Sequence, residues 1–208
     1  MSSSPLKVVI LGHSFVRRTS DYINQDKSGA LHNFGLSPTT HTISFISRPG
    51  GKARNMKNAY SQIQAIEPDL VLLDIGTNDL QSSSPSVLVS QVYNIFRTLV
   101  YFCNVKMVVF LQVLPRTVYG RYGAPLSFQA KVAEYNQHLK THVFQNKICH
   151  IFGRTPVPIR FWYHKGFTTK WESFITDGVH LNPQGLALYI RSLRRAVLKF
   201  SPSVRQLL

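Results

Sequence analysis

Acidic side chains are scarce in this chain, with 9 Asp and Glu against 24 Lys and Arg in 208 residues. Cysteine is scarcer still. Cys103 and Cys149 are the only two, and two thiols in a chain long enough to bury its own core exclude a disulfide scaffold. Long hydrophobic runs are missing as well. Stretches such as residues 108–111 fall far short of the ~18–20 apolar residues that cross a bilayer. Residues 8–11, behind the opening Met-Ser-Ser-Ser, are too short a core for a secretory signal. A soluble intracellular protein, cytoplasmic or nuclear, is the expectation. Apolar residues make up 44%, which excludes wholesale disorder. The length suits one domain over residues 1–208, with a core from about 6 to 198.

The formal net charge is +15, and it is unevenly spread. The stretch 1–104 carries 9 basic and 6 acidic residues, whereas 105–208 carries 15 and 3. Such an excess attracts polyanions without regard to sequence. A merely solvated surface gives the same count.

Apolar runs alternate with helical patterns. Residues 6–11 (LKVVIL), 42–47 (TISFIS), 70–75 (LVLLDI) and 106–114 (KMVVFLQVL) are strand-like, and 147–152 is a weaker fifth. Little polar alternation interrupts them, as expected of central parallel strands buried on both faces. Ser84-Pro85 reads as a helix start, followed by Leu88, Val92, Ile95, Phe96 and Leu99 at three- and four-residue steps. Residues 127–144 repeat the pattern through Val132, Tyr135, Leu139 and Val143. Asn182-Pro183 opens another helix, with Leu186, Ile190, Leu193 and Val197 on one face. The alternation predicts a three-layer α/β/α sandwich around a five-stranded parallel sheet, order 2-1-3-4-5. Residues 153–176 lack clear periodicity and read as a long loop.

In such a sheet the ligand site lies beyond the carboxyl ends of the strands. Four turns converge there: Gly12-His13-Ser14, Pro49-Gly50-Gly51, Gly76-Thr77-Asn78-Asp79 and, before the last helix, Asp177-Gly178-Val179-His180. Together they supply a hydroxyl, backbone N–H groups, a side-chain amide and an Asp/His pair, the parts for acyl transfer through a serine nucleophile. Each part has a plain structural reading by itself. Ser14 could cap a helix, Gly50-Gly51 could be a turn, Asn78 a turn residue, and Asp177 and His180 loop residues.

In order and placement these turns resemble the blocks of the SGNH (GDSL-type) hydrolases over roughly residues 6–198. The look is nearest to the platelet-activating-factor acetylhydrolase branch, through Gly50-Gly51, Gly76-Thr77-Asn78 and Leu114-Pro115-Arg116. Related domains accompany some eukaryotic retrotransposon reading frames, which would suit the basic surface. The resemblance implies a serine esterase acting on small acyl, acetyl-type esters. Ser14 would be the nucleophile, His180 the base and Asp177 the acid that orients it. The oxyanion hole would be Ser14, Gly51 and Asn78, and no metal or organic cofactor is implied. One position departs from the pattern: the family usually carries Asp before the nucleophile, and here it is His13.

Competing motifs are weaker. There is no G-x-S-x-G elbow, and Gly50-Gly51-Lys52-Ala53 lacks the form of a Walker loop. His138 and His142 share a helical step but lack a third metal ligand with clear spacing. Lys52, Arg54 and Lys57 lie near the rim, and could favour an anionic substrate or only solvate a helix. Phe15, Tyr119, Tyr122, Trp162, Tyr163 and Trp171 could wall a substrate site or be core aromatics. The alternative function is a weakly active or inactive hydrolase-fold module that binds nucleic acid or another polyanion, with Arg191, Arg194, Arg195 and Lys199 as its basic face.

Overall fold

The first four apolar runs form the strands Leu6–Gly12 (β1), His41–Ser47 (β2), Leu70–Asp74 (β3) and Met107–Leu111 (β4). They lie parallel, in the order β2-β1-β3-β4. The computed structural model describes residues 4–116, 125–145, 148–149, 157–167 and 171–206. Within β1, β3 and β4 both faces are apolar because both are covered. Val9, Leu11, Val71, Leu73, Val108 and Phe110 face one core, which the helices Tyr60–Ile66 (α2), Pro85–Tyr101 (α3) and Pro125–Gln145 (α4) close. Ile10, Leu70, Leu72, Met107 and Val109 face the other, closed by Ser14–Asn24 (α1) and Pro183–Arg205 (α5).

Helix starts follow the local chemistry. The Ser84 hydroxyl accepts from Val87 N–H at 3.4 Å, and Asn182 Oδ1 accepts from Gly185 N–H at 2.8 Å. Pro85 and Pro183 stand where a missing N–H costs nothing. The final helix also ties down the segment leading into β2. Arg194 Nε donates to Phe34 O at 3.0 Å, His41 Nε2 meets Ser201 Oγ at 3.0 Å, and Arg205 donates to Thr40 O at 2.9 Å.

The expected order 2-1-3-4-5 holds, but the strand in fifth place is not the fifth run of the sequence. It is Val157–Trp162 (β6), parallel to β4 and inside the stretch read as a loop. Ile148–Cys149 (β5) is a two-residue antiparallel partner on its outer side, so the sheet runs β2-β1-β3-β4-β6-β5. Pro158 disguised this strand, since proline cannot donate to a ladder and is confined to edges. Near the edge it is tolerated. The signal was the period of two in Val157, Ile159 and Phe161, which all pack on one core. No helix among the described residues is long and apolar enough to cross a membrane.

Leu72 is fully buried in the middle strand. Leu72→Ala is expected to lower stability by about 2–5 kcal/mol in urea unfolding. Leu198→Ala, at a position 41% exposed, should change it by no more than about 0.5 kcal/mol.

Candidate active site

β1 runs directly into α1 with only His13 between them. Gly12 permits that turn. A Cβ there would sit 2.4 Å from the Asp74 carbonyl oxygen and 2.7 Å from Val16 Cγ2, so β1 and β3 could not both end where they do with any larger residue. His13 is the N-cap of α1, its Nδ1 accepting from Phe15 N–H at 3.4 Å. Ser14 is therefore the first helical residue, raised at the carboxyl edge of the sheet.

Before α5 the chain makes a tight turn at 177–180. Asp177 Oδ1 accepts from the N–H groups of Val179 (3.0 Å) and His180 (2.7 Å), which bends the loop back on itself. Its other oxygen lies 2.7 Å from His180 Nδ1, and His180 Nε2 lies 3.1 Å from Ser14 Oγ. Residues 166 apart in sequence thus stand in one hydrogen-bonded row. Partial burial would raise the Asp177 carboxyl, but the His180 ring and the two N–H donors hold it well below the usual carboxylate range. The Arg18 guanidinium is 3.7 Å from the same carboxylate.

The third turn is braced on both sides. Asn78 Nδ2 donates to Gly51 O at 3.0 Å, and Asn78 Oδ1 accepts from Arg116 Nη2 at 2.7 Å. These partners fix which end of the amide is nitrogen, and they leave the second hydrogen of Nδ2 available. Arg116 is buried, which pulls its guanidinium down to about 10 against the pull of Asp74 and Asp177; it stays charged at neutral pH. Asp79 Oδ1 accepts from Ala53 N–H at 3.0 Å, joining the second and third turns. The Gly51 N–H itself donates to Arg48 O at 2.7 Å, closing the turn in which Gly50 has φ +68°. In this conformation it can reach a substrate oxygen only as a shared donor.

Residues 11–188 match the sequence pattern of the GDSL-like Lipase/Acylhydrolase family. The chain belongs to that family. This GDSL-family chain is similar in fold to an acylhydrolase-type protein of Bacteroides fragilis, with 18% identity over 95% of this chain and 91% of that one, TM-score 0.68. An acetyl esterase mutant solved with an acetate ion gives 17% identity over 96% and 99%, TM-score 0.65. A protein from Streptococcus pneumonia named for platelet activating factor gives 17% over 95% and 86%, TM-score 0.65. No curated protein sequence matches the chain.

Other sequence candidates fall elsewhere. Phe15 is buried edge-on to His180 at 6.2 Å, and Trp162 bonds Ser192 through its indole N–H. Tyr163 is exposed, Tyr119 and Tyr122 lie outside the described residues, and so does the side chain of Trp171. Lys52 Nζ is held by Ser82 at 2.8 Å, while Arg54 and Lys57 line a groove toward α3. His138 is near Glu134 and His142 packs on Tyr93, and among the described residues no three potential ligands cluster for a metal. Arg191, Arg195 and Lys199 form an exposed stripe on α5, from which Arg194 is diverted to Phe34 O. The sequence reading missed the bracing role of Arg116, although its place after β4 was visible, and the buried Asp74.

An Asp with a lowered native pKa contributes stability above its unfolded value of ~3.9, and that contribution is lost as pH falls through the native value. In a carboxyl-resolved NMR titration Asp177 should show a midpoint below ~3.9. His180→Ala should move that midpoint upward.

Proposed function

We propose that this GDSL-family chain is a serine esterase that hydrolyses small acyl, acetyl-type esters. The single observation behind this reading is the row Ser14 Oγ, His180, Asp177 at 3.1 and 2.7 Å, next to the spare hydrogen of Asn78 Nδ2. With Nδ1–H given to Asp177, His180 Nε2 is free to accept the Ser14 proton. Ser14 Oγ attacks the acyl carbon, and the carbonyl π electrons move onto oxygen. His180 then hands the proton to the leaving alcohol oxygen as the C–O bond breaks. Water attacks the acyl-serine, again through His180, and releases the acid with Ser14 restored. The cycle balances with water as the only co-reactant.

The developing oxyanion is met by the Ser14 N–H, one of the first-turn helix donors that lack an intrahelical acceptor, and by Asn78 Nδ2. Gly51 completes the hole where its N–H is shared with, or released from, Arg48 O. Arg116 keeps Asn78 from rotating away. His13 takes no part in the proton relay, because Asp177 supplies the orienting carboxylate. The acetyl group is favoured by similarity to the acetyl esterase and by the resemblance in the sequence.

Ser14→Ala should lower turnover of p-nitrophenyl acetate by at least about 10⁴-fold and abolish labelling by a fluorophosphonate probe. Equal rates in the two proteins would reject the reading. Asn78→Ala should cost on the order of 10²–10³ in kcat.

A further inference from the structure

Beneath Ser14 lies a buried polar row that the proton relay does not use. His13 is fully buried, and its Nδ1 accepts from Phe15 N–H, so the ring hydrogen belongs on Nε2. That nitrogen is 3.4 Å from Asp74 Oδ1, close enough for strong attraction though not aligned for a full hydrogen bond. Asp74 ends β3 and is 3% exposed; its Oδ2 accepts from the Tyr189 hydroxyl at 2.5 Å. Tyr189 belongs to α5, the helix that follows the Asp177–His180 turn. One carboxylate therefore joins the helix of the candidate nucleophile to the helix behind the candidate base.

The row is built around one buried carboxylate. Burial raises the Asp74 carboxyl, yet His13 and the Tyr189 hydroxyl outweigh it, and the net direction is down. The groups facing it are His13 at the cap of α1, Tyr189 from α5, His164 from the turn after β6 and, more distantly, Arg116 after β4. His164 is itself pushed down to about 4 by burial and stays neutral; its Nδ1 is 2.8 Å from Ser192 Oγ. A second carboxylate, Asp79, also feels His13. A buried carboxylate missing one donor is costly, so the partners are held stiffly.

We propose that His13 is a positioning residue for Ser14, held in place by Asp74 and Tyr189. The inference rests on the serine-esterase reading. Short N-cap side chains reach the second or third helical N–H unaided. An imidazole capping at 3.4 Å is a loose cap unless its far edge is anchored, and Asp74 anchors it. Ser14 lies between the cap and the N–H that the cap accepts. The His13 ring thus sets the direction of both the Ser14 hydroxyl toward His180 and the Ser14 N–H toward the rim.

The test compares His13→Asp, Asp74→Asn, the double variant and Tyr189→Phe, measuring kcat and KM for p-nitrophenyl acetate across pH, fluorophosphonate labelling and Tm. In His13→Asp two buried carboxylates face each other. Its kcat should drop about 100-fold, the scale of a 1 Å misplacement, with KM nearly unchanged. Its pH profile should gain an ionisation above the ordinary carboxylate range, because neighbouring carboxylates cannot both ionise freely. Adding Asp74→Asn restores a single carboxylate facing a neutral donor. It should recover about tenfold or more of the loss and erase the added ionisation. Where His13→Asp alone does not fold, the double variant and Tyr189→Phe carry the test, the latter with kcat and labelling rate reduced in proportion. Variants that lower Tm but keep the kcat and pH profile of the wild type overturn the proposal and leave the esterase reading intact. A wild type that neither turns over ester nor labels overturns both.

Discussion

At their carboxyl ends β1 and β3 approach so closely that position 12 has no room for a Cβ against the Asp74 carbonyl. Much of the rim depends on that approach. It brings the start of α1 directly over the end of β3, so that a strand-to-helix turn of one residue presents Ser14 at the sheet edge. It sets Asp74 under His13, and it brings the Gly76–Asp79 turn alongside the second turn, where Asn78 and Asp79 bond Gly51 and Ala53. A larger residue at position 12 would therefore displace several loops together.

The parallel core was legible because burial on both faces leaves a continuous apolar string, and β1, β3 and β4 are such strings. The helices that begin at Pro85 and Pro183 were legible for a different reason: Ser or Asn followed by Pro is a local signal that tertiary contacts do not override. β6 was hidden by Pro158 and by partial exposure, and its partner β5 is too short to carry any period. The segment that seemed most loop-like contains the strand that closes the sheet.

For the candidate site, Ser14, Gly51, Asn78, Asp177 and His180 could be named because each sits in a turn after a recognisable element. What could not be read was how the turns are held. Arg116 is charged and would be expected at the surface, yet it is buried because Asn78 accepts its hydrogen bond. Asp74 looks like an interruption in LVLLDI, and only the fold reveals that His13 and Tyr189, far apart in sequence, meet it. Bracing of this kind depends on three-dimensional partners, so spacing along the chain carries little trace of it. The engagement of the Gly51 N–H with Arg48 O is likewise a matter of turn geometry that a Gly-Gly pair leaves open.

The row joining Ser14 to His180 spans nearly the whole chain, and its far end is carried on the loop that leads into α5. That helix is fastened to the opposite end of the sequence by Arg194, His41 with Ser201, and Arg205. During synthesis the strands β1 to β4 can pair before α5 has been made, but the row cannot close until this helix docks. A contact of such long sequence separation must offset a large loop-closure entropy. The hydroxyl at position 14 therefore meets its partner only where the last helix packs back against the first strands.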